Sequence, residues 1–583
     1  MTNDYTTDMA EQKVARQHFD ERLAGLASER VTWEARWVEI LEHLFPDLAR
    51  YLAGETEGGR GDISYSKIFD GSPSLACETF GEGVSAVMTN PAQKWMAIEH
   101  ELPMLSERPD IEEWQEECSD LMLKALNRGN IYECLTQSYK EMGAIGNAAA
   151  LLDEHPKYFI HGHNFAPGEY YLGTNRWGRV DTCYRKFKLS VAQMVQQFGL
   201  NAVSQTIRDA WKANRRREEF VVVHAIEPVN ADPMKGVDDR IPTGAQWRSV
   251  YYERGAKGGE LGERDAGLLD VSGYYENPVM TMRLDVSSTS VYGVGRGNVA
   301  LGDMKALMWW TAKLERAAEM EVDPPTLEST GNTARLSPLS TAPGARNKYN
   351  ENATGKPSAG RLFESRFDPE QARARIYELS ERIDKIFYRD AFQKFSDMKT
   401  SADLRLPQIA EISAEKLLRM ASTTQRVIPG LNVLIDRLFG IMARRGELPE
   451  PPEDIQGDEL NIVYQSMIAK AQRESGVANL ERFGGFVGQL AQSLGTMDPV
   501  DKFNSDEAIE RYADHLGVSP KTVRSNDEAG KIRQQRAAAQ AAQLAGQVAQ
   551  DATGAAKTLS ETPTEGENYL NAISGAMNQY AGA

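Results

Sequence analysis

The residue groups most able to do chemistry are glycines that could hold phosphate. Gly293, Gly295 and Gly297 form a G-x-G-x-G run ahead of a predicted helix. A dinucleotide turn requires G-x-G-x-x-G and an acidic residue about twenty positions on, at the end of a second strand. Neither is present, so the run reads as a flexible strand-to-helix turn. A nucleotide-hydrolysing loop requires G-x-x-x-x-G-K-[ST], whose amides and lysine cradle phosphates. Gly355-Lys356 runs into Pro357 and Gly530-Lys531 into Ile532, and neither pair has a glycine five positions earlier. No motor activity and no cofactor are expected.

Metal chemistry is the next possibility. His155, His161 and His163 lie close together, with Asp181 and Cys183 further on. An H-x-H pair on a strand puts both rings on one face, which would suit zinc. A third and fourth ligand do not follow from the spacing, and surface histidines on a hairpin are the simpler reading. Arg60-Gly61-Asp62 reads as a loop tripeptide. Arg215-Arg216-Arg217, balanced by Glu218-Glu219, reads as a solvated helix end. No nucleophile, base and acid fall into a recognisable set, so no enzyme activity is expected.

Charged side chains at helical spacing remain. Arg375, Arg382, Lys385 and Arg389 share a predicted helix with Glu378 and Glu381. Each glutamate stands four residues before a cation, the favourable order for ion pairs. This face is either a salt-bridged surface or a set of charges at a channel wall or subunit boundary. Lys399 and Arg405 follow in a polar break, with Asp403 between them.

These residues need elements to position them. Residues 8–52 read as helix, with Trp33, Trp37, Ile40, Leu41 and Leu44 at helical steps and Pro46 as a break. A loop follows at 54–66, then helices at 73–90 and 110–147. From 155 the pattern turns to strands: 158–165, 168–175, 179–190, 220–226, 247–253 and 280–286, with a helix at 190–217. A helix from Asp303 to about Met320 is predicted, with Asp303 as its N-cap. The stretch 326–369 reads as strands and loops. A second helix is expected over Pro369–Phe395, with Ile376, Leu379, Ile383, Ile386 and Phe387 on one face. After a break at 396–412, a long helix runs from Ser413 to Arg445, kinked by Pro429 and closed by Gly446. A Pro/acidic linker fills 447–456, short helices fill 458–525, and an Ala/Gln-rich helix runs to about 551.

The bulk properties bound the function. The chain has 583 residues, too many for one core, and is 41% hydrophobic and 26% charged. No stretch approaches the roughly 18 apolar residues of a membrane span. The polar, acidic N-terminus does not read as a signal peptide, and the four scattered cysteines suit a reducing compartment. A net charge of −18 argues against a tight DNA binder, which needs a basic face. It does not argue against a channel through which DNA slides.

The layout resembles the head-to-tail connector, or portal, family of short-tailed phages. The resemblance is carried by Tyr292-Gly293, then Ala300, Leu301, Asp303, Lys305 and Leu307, then Pro324-Pro325. It is also carried by Trp33, Trp37 and Pro46, by 75–95, by GEYYLGTNRWGRVDTCYRKFKLS, and by LFGIMARRGELP. It implies an α+β portal fold. Residues 1–302 would be the wing, 303–320 the first stem helix, 321–369 the clip, and 370–395 the second stem helix. Residues 396–412 would be the tunnel loop, 413–446 a long wing helix, 447–530 a helical crown, and 531–583 a tail or barrel. It further implies a homododecameric ring at a capsid vertex of the virion, assembled in the host cytoplasm. Its partners would be the major capsid protein and scaffold, the terminase motor, a tail adaptor or tail tube protein, and double-stranded DNA, with no membrane. A virion scaffold or adaptor that conducts no DNA is the competing reading.

Overall fold

We describe the fold from a computed structural model. It describes the chain except for residue 1, the longer segments 53–64, 256–267, 330–337, 350–358, 363–367, 390–405, 465–481, 517–523 and 561–583, and a few shorter stretches. The fold is mixed α and β, as expected. Residues 1–471 form one compact unit and 472–583 another.

The N-terminal helix α1 (Thr2–Leu44) is stopped by Pro46, which opens α2 (Pro46–Leu52). Helix α3 (Ser72–Met88) leads to strand β1 (Met96–His100). The expected helix at 110–147 is two helices, α4 (Pro109–Arg128) and α5 (Ile131–Ile145). They break at Gly129-Asn130, where Asn130 donates to Gly162 O at 2.7 Å.

Strand β2 (Asn147–His155) follows at once and pairs antiparallel with β3 (Phe159–Asn164) and β9 (Val279–Arg283). The sequence reading did not place β2. Its residues Asn147–Leu152 are all buried, so the alternation that marks a half-exposed strand is missing.

The second sheet is an antiparallel meander of five strands: β4 (Tyr170–Thr174), β5 (Val180–Ser190), β6 (Glu219–Pro228), β7 (Trp247–Gly255) and β8 (Leu268–Tyr274). Its two faces separate by the two-residue period of a strand. Phe220 and Val222 join Phe187 against α6 (Val191–Phe198) and α7 (Gln205–Lys212). Val223, Ala225, Val250 and Tyr252 join Ala15, Phe19 and Leu23 of α1 on the other face. The expected single helix at 190–217 is therefore corrected to two short ones. Ser190 caps the first in a capping box with Gln193, and Ser204 caps the second.

Helix α8 (Arg296–Val322) begins seven residues before the expected start, so Asp303 is an interior residue and not a cap. The following segment holds a small sheet of β10 (Thr326–Ser329), β11 (Arg346–Tyr349) and β12 (Ala359–Arg361). Helix α9 (Pro369–Ile386) returns along α8, capped by Asp368, and stops before the expected Phe395. Leu379, Ile383 and Phe387 are buried, with Ile376 and Ile386 packed beside them, as the periodicity predicts.

The long helix α10 (Leu406–Arg444) begins inside the expected break at 396–412. Pro407 is its second residue, where a missing N–H costs nothing. The helix continues through Pro429 and packs on β9. At Gly430 a side chain would meet Thr281 O at 2.7 Å, so the close approach depends on glycine. The end is a Schellman cap: Gly446 has φ +67°, and Glu447 N donates to Met442 O at 3.1 Å.

The stretch expected as helices only contains a strand, β13 (Leu460–Tyr464), which pairs antiparallel with β1. The second unit holds helices over 482–494 (α11), Ser505–Leu516 (α12) and Asn526–Ser560 (α13), the last running nine residues beyond its expected end. Among the described residues no helix is long and apolar enough to cross a membrane.

Candidate channel and subunit-boundary elements

The glycine run explains how α8 is held. Gly293, Gly295 and Gly297 are buried, and none has a positive φ. A side chain at Gly295 would meet Gly146 N at 2.4 Å, and one at Gly297 would meet Ala144 O at 2.3 Å. Asn147 closes the crossing: its Oδ1 accepts from Gly293 N at 2.8 Å and its Nδ2 donates to Gly293 O at 3.1 Å. The expected flexible turn is thus a close-packed crossing of two backbones. These glycines are needed for the room they leave, not for their freedom.

Tyr292, just before this crossing, gathers residues that the sequence keeps far apart. Its ring lies 5.2 Å edge-on from Trp37 and 6.3 Å from Trp33. Its hydroxyl accepts from Leu172 N at 3.1 Å. Ala300 and Leu307 enter the same core, while Lys305 pairs with Glu39 of α1. The apolar residues of the motif fill the core, and its charged ones tie α8 to its neighbours.

The four cations expected on the second helix are all engaged within the chain, but Arg389 lies beyond the end of α9 at Ile386, past Tyr388 at φ +57°. Lys385 pairs with Glu381 at 3.6 Å, as the spacing predicts. Glu378 instead accepts from Arg375 at 2.6 Å, and Arg382 crosses to Asp303 at 3.0 Å. Arg389 pairs with Asp384 at 3.1 Å. Helices α8 and α9 each carry four basic and four acidic residues, so the pair is formally neutral in a chain of net charge −18. Lys399 and Arg405 lie outside the described residues.

The far half of α8 has little to pack against in its own chain. Its buried residues are Gly297, Ala300, Met304, Leu307 and Met308, all in the first half. Trp309 is 53% exposed, and Tyr377 on α9 is 70% exposed. Large aromatic surface of this kind marks a site of association.

The histidines do not assemble a metal centre with the residues read beside them. His161 and His163 share the exposed face of β3, as predicted, and His155 stacks on Tyr158 at 4.8 Å. Cys183 is buried in the other sheet, opposite Ile226. Partial desolvation of its ring and the nearby Arg185 push His163 down to about 4, so its ring is neutral. Among the described residues no group of three or more His, Cys, Asp or Glu could hold a metal. Arg60-Gly61-Asp62 lies outside them. Arg215 pairs with Glu218 at 2.9 Å and Arg216 covers Trp211, as a solvated helix end should.

Sequence reasoning missed two polar clusters. Glu227, buried on β6, meets Arg22 of α1 at 3.1 Å, Arg248 of β7 at 3.4 Å and the Tyr184 hydroxyl at 2.8 Å. A cavity of about 360 Å³ between the sheets and α10 is lined by Asp153, Asp270, Tyr251, Tyr274, Arg437 and Arg444 among others. Glu276 neutralises both arginines there. Neither cluster has a short-range motif, because its members come from distant segments.

The side chains at these sites tie elements together and leave aromatic surface for association, which is the pattern of a structural subunit. The sequence matches the family described as bacteriophage head to tail connecting protein over residues 16–523. It is 31% identical over 575 residues to the probable portal protein of Bordetella phage BPP-1, covering 98% of this chain and 100% of that protein. It is 32% identical over 569 residues to the portal protein of Salmonella phage epsilon15, covering 95% of this chain and 97% of that one. The chain belongs to the head-to-tail connecting protein family of bacteriophages.

Proposed function

We propose that this chain is the subunit of a phage portal: a ring at one capsid vertex through which DNA is packaged, retained and ejected. The observation that carries the reading is the extent of the likeness, which runs almost end to end through two portal proteins. The antiparallel pair α8 and α9 supports it as the stem, with β10, β11 and β12 as the clip between them. The formal neutrality of that pair suits a wall that DNA passes without being gripped. In this reading residues 1–302 are the wing, α10 spans it, and 447–530 form the crown. The tunnel loop expected at 396–412, with Lys399 and Arg405, lies outside the described residues up to 405, and its remainder opens α10. The ring is a dodecamer that meets the capsid protein and scaffold, then the terminase motor, then the tail adaptor.

Electron microscopy of the purified protein tests this directly. A closed ring with an axial hole wide enough for duplex DNA is expected. A closed ring with no such hole would favour a scaffold or adaptor. A stable 64.8 kDa monomer at micromolar concentration under all salt conditions overturns the reading.

A further inference from the structure

The turn joining β4 to β5 holds a tryptophan out from the surface on a rigid support. Trp177 is 70% exposed, against 53% for Trp309. The Arg176 guanidinium stacks 3.9 Å from the centre of its ring. The backbone beneath is fixed from several sides. Asn175 Oδ1 accepts from both Trp177 N and Arg179 N at 3.0 Å. Gly178, at φ +74°, donates to Asn175 O at 2.9 Å. From β9, Arg283 donates to Gly178 O at 2.5 Å. A tip held this firmly pays little ordering entropy on docking. Tryptophan and arginine are also the residues that most often dominate an interface.

A matching recess lies elsewhere on the same unit. A cavity of about 260 Å³ opens between α3 and α5 and is lined by Glu82, Ser85, Ala86, Asn90, Pro91 and Thr136. Ala86 and Pro91 give it apolar walls, and Glu82 is the one charged residue in its lining. An indole with a guanidinium on its face presents an apolar body and a cation. The recess offers an apolar wall and a carboxylate.

We propose that the Trp177 tip of each copy docks into the Glu82–Pro91 recess of the next copy around the ring. This rests on the ring reading above. A closed ring requires a heterologous interface, in which two different patches of one chain meet. A knob and a separate hole on one subunit meet that requirement. Charge selects the partner: a basic tip on a chain of net charge −18 meets a carboxylate on another copy of itself.

The test uses the full-length chain carrying Trp177→Cys together with Ala86→Cys. The four native cysteines are buried and give little background. Mild oxidation should yield a ladder of covalent oligomers on a denaturing gel, and neither single variant should. In parallel, Arg176→Glu and Glu82→Arg should each raise the subunit concentration needed for half-maximal ring assembly at least tenfold. The double reversal should restore it. Rings of normal appearance with no ladder, and no effect of either reversal, overturn the docking and leave the ring reading standing. A wild-type chain that forms no ring overturns both. A crosslink formed only to another virion protein assigns the tip to that protein and also overturns the proposal.

Discussion

Arg382 of α9 reaches Asp303 of α8 at 3.0 Å, and this pair links the two antiparallel helices across their boundary. Asp303 is 17% exposed and Arg382 50%, so solvent screens the interaction. A double-mutant cycle with Asp303→Asn and Arg382→Gln should give a coupling of about 0.2–1 kcal/mol in chemical unfolding. A coupling well above 2 kcal/mol would mean that the pair is more shielded than its exposure implies.

Glu227 makes the opposite prediction. It is 1% exposed and faces Arg248, itself fully buried. Removing Glu227 takes an acidic partner from a guanidinium in a dry interior and leaves it the partly exposed Asp238 at 3.4 Å. Glu227→Ala should therefore cost about 3–5 kcal/mol in urea unfolding and should loosen α1 from the sheet. A loss below 1 kcal/mol would falsify the clamp.

Glu141 should give the first unit a pH dependence. Burial holds its carboxyl up at about 8, against an ordinary 4.5, and Gln137 is its hydrogen-bond donor. Folding then takes up a proton between pH 4.5 and 8. The contribution of Glu141 to stability falls as pH rises through that window and is constant above it. Glu141→Gln should abolish this slope and stabilise the fold above pH 8 by on the order of 2–4 kcal/mol. An unchanged slope in thermal melts between pH 5 and 8 would assign the titration elsewhere.

The C-terminal helix is the last test. In α13 almost every described side chain is exposed, and the ion pair of Arg533 with Asp506 lies on the surface. A chain ending at Ser525 should keep the melting behaviour of the first unit and should still assemble. Loss of assembly would make α13 part of the ring itself.

Much of this was legible in the sequence. The α8 and α9 pair, the meander strands β5, β6 and β7, and the glycine end of α10 follow from local periodicity and caps. What was not legible needed partners far along the chain. β2 is alanine-rich and buried on both sides, so its composition favours helix and its pattern shows no alternation. β8 mixes Asp, Ser and Gly into its run, which weakens any strand signal. β13 exists because β1 is there to pair with it. In the candidate site, Arg375, Arg382 and Lys385 share α9 as expected, while Arg389 falls beyond the helix end at Ile386 because the backbone turns left-handed at Tyr388. The partner of Arg382 was not legible, because Glu378 four positions back on the same helix competes with Asp303 of a neighbouring helix, and the sequence shows only the first.

The pairing of β1 with β13 has a mechanical side. β13 ends seven residues before the boundary between the two compact units, so a pull on the second unit first loads its Tyr464 end. That end is the reinforced one: Tyr464 stacks on the buried Trp95 and its hydroxyl donates to Asn432 of α10. Tension arriving there is shared with a long helix and a core tryptophan before it can peel Tyr464 from Met96. Those five residue pairs act as a strain relief where the chain leaves its first unit.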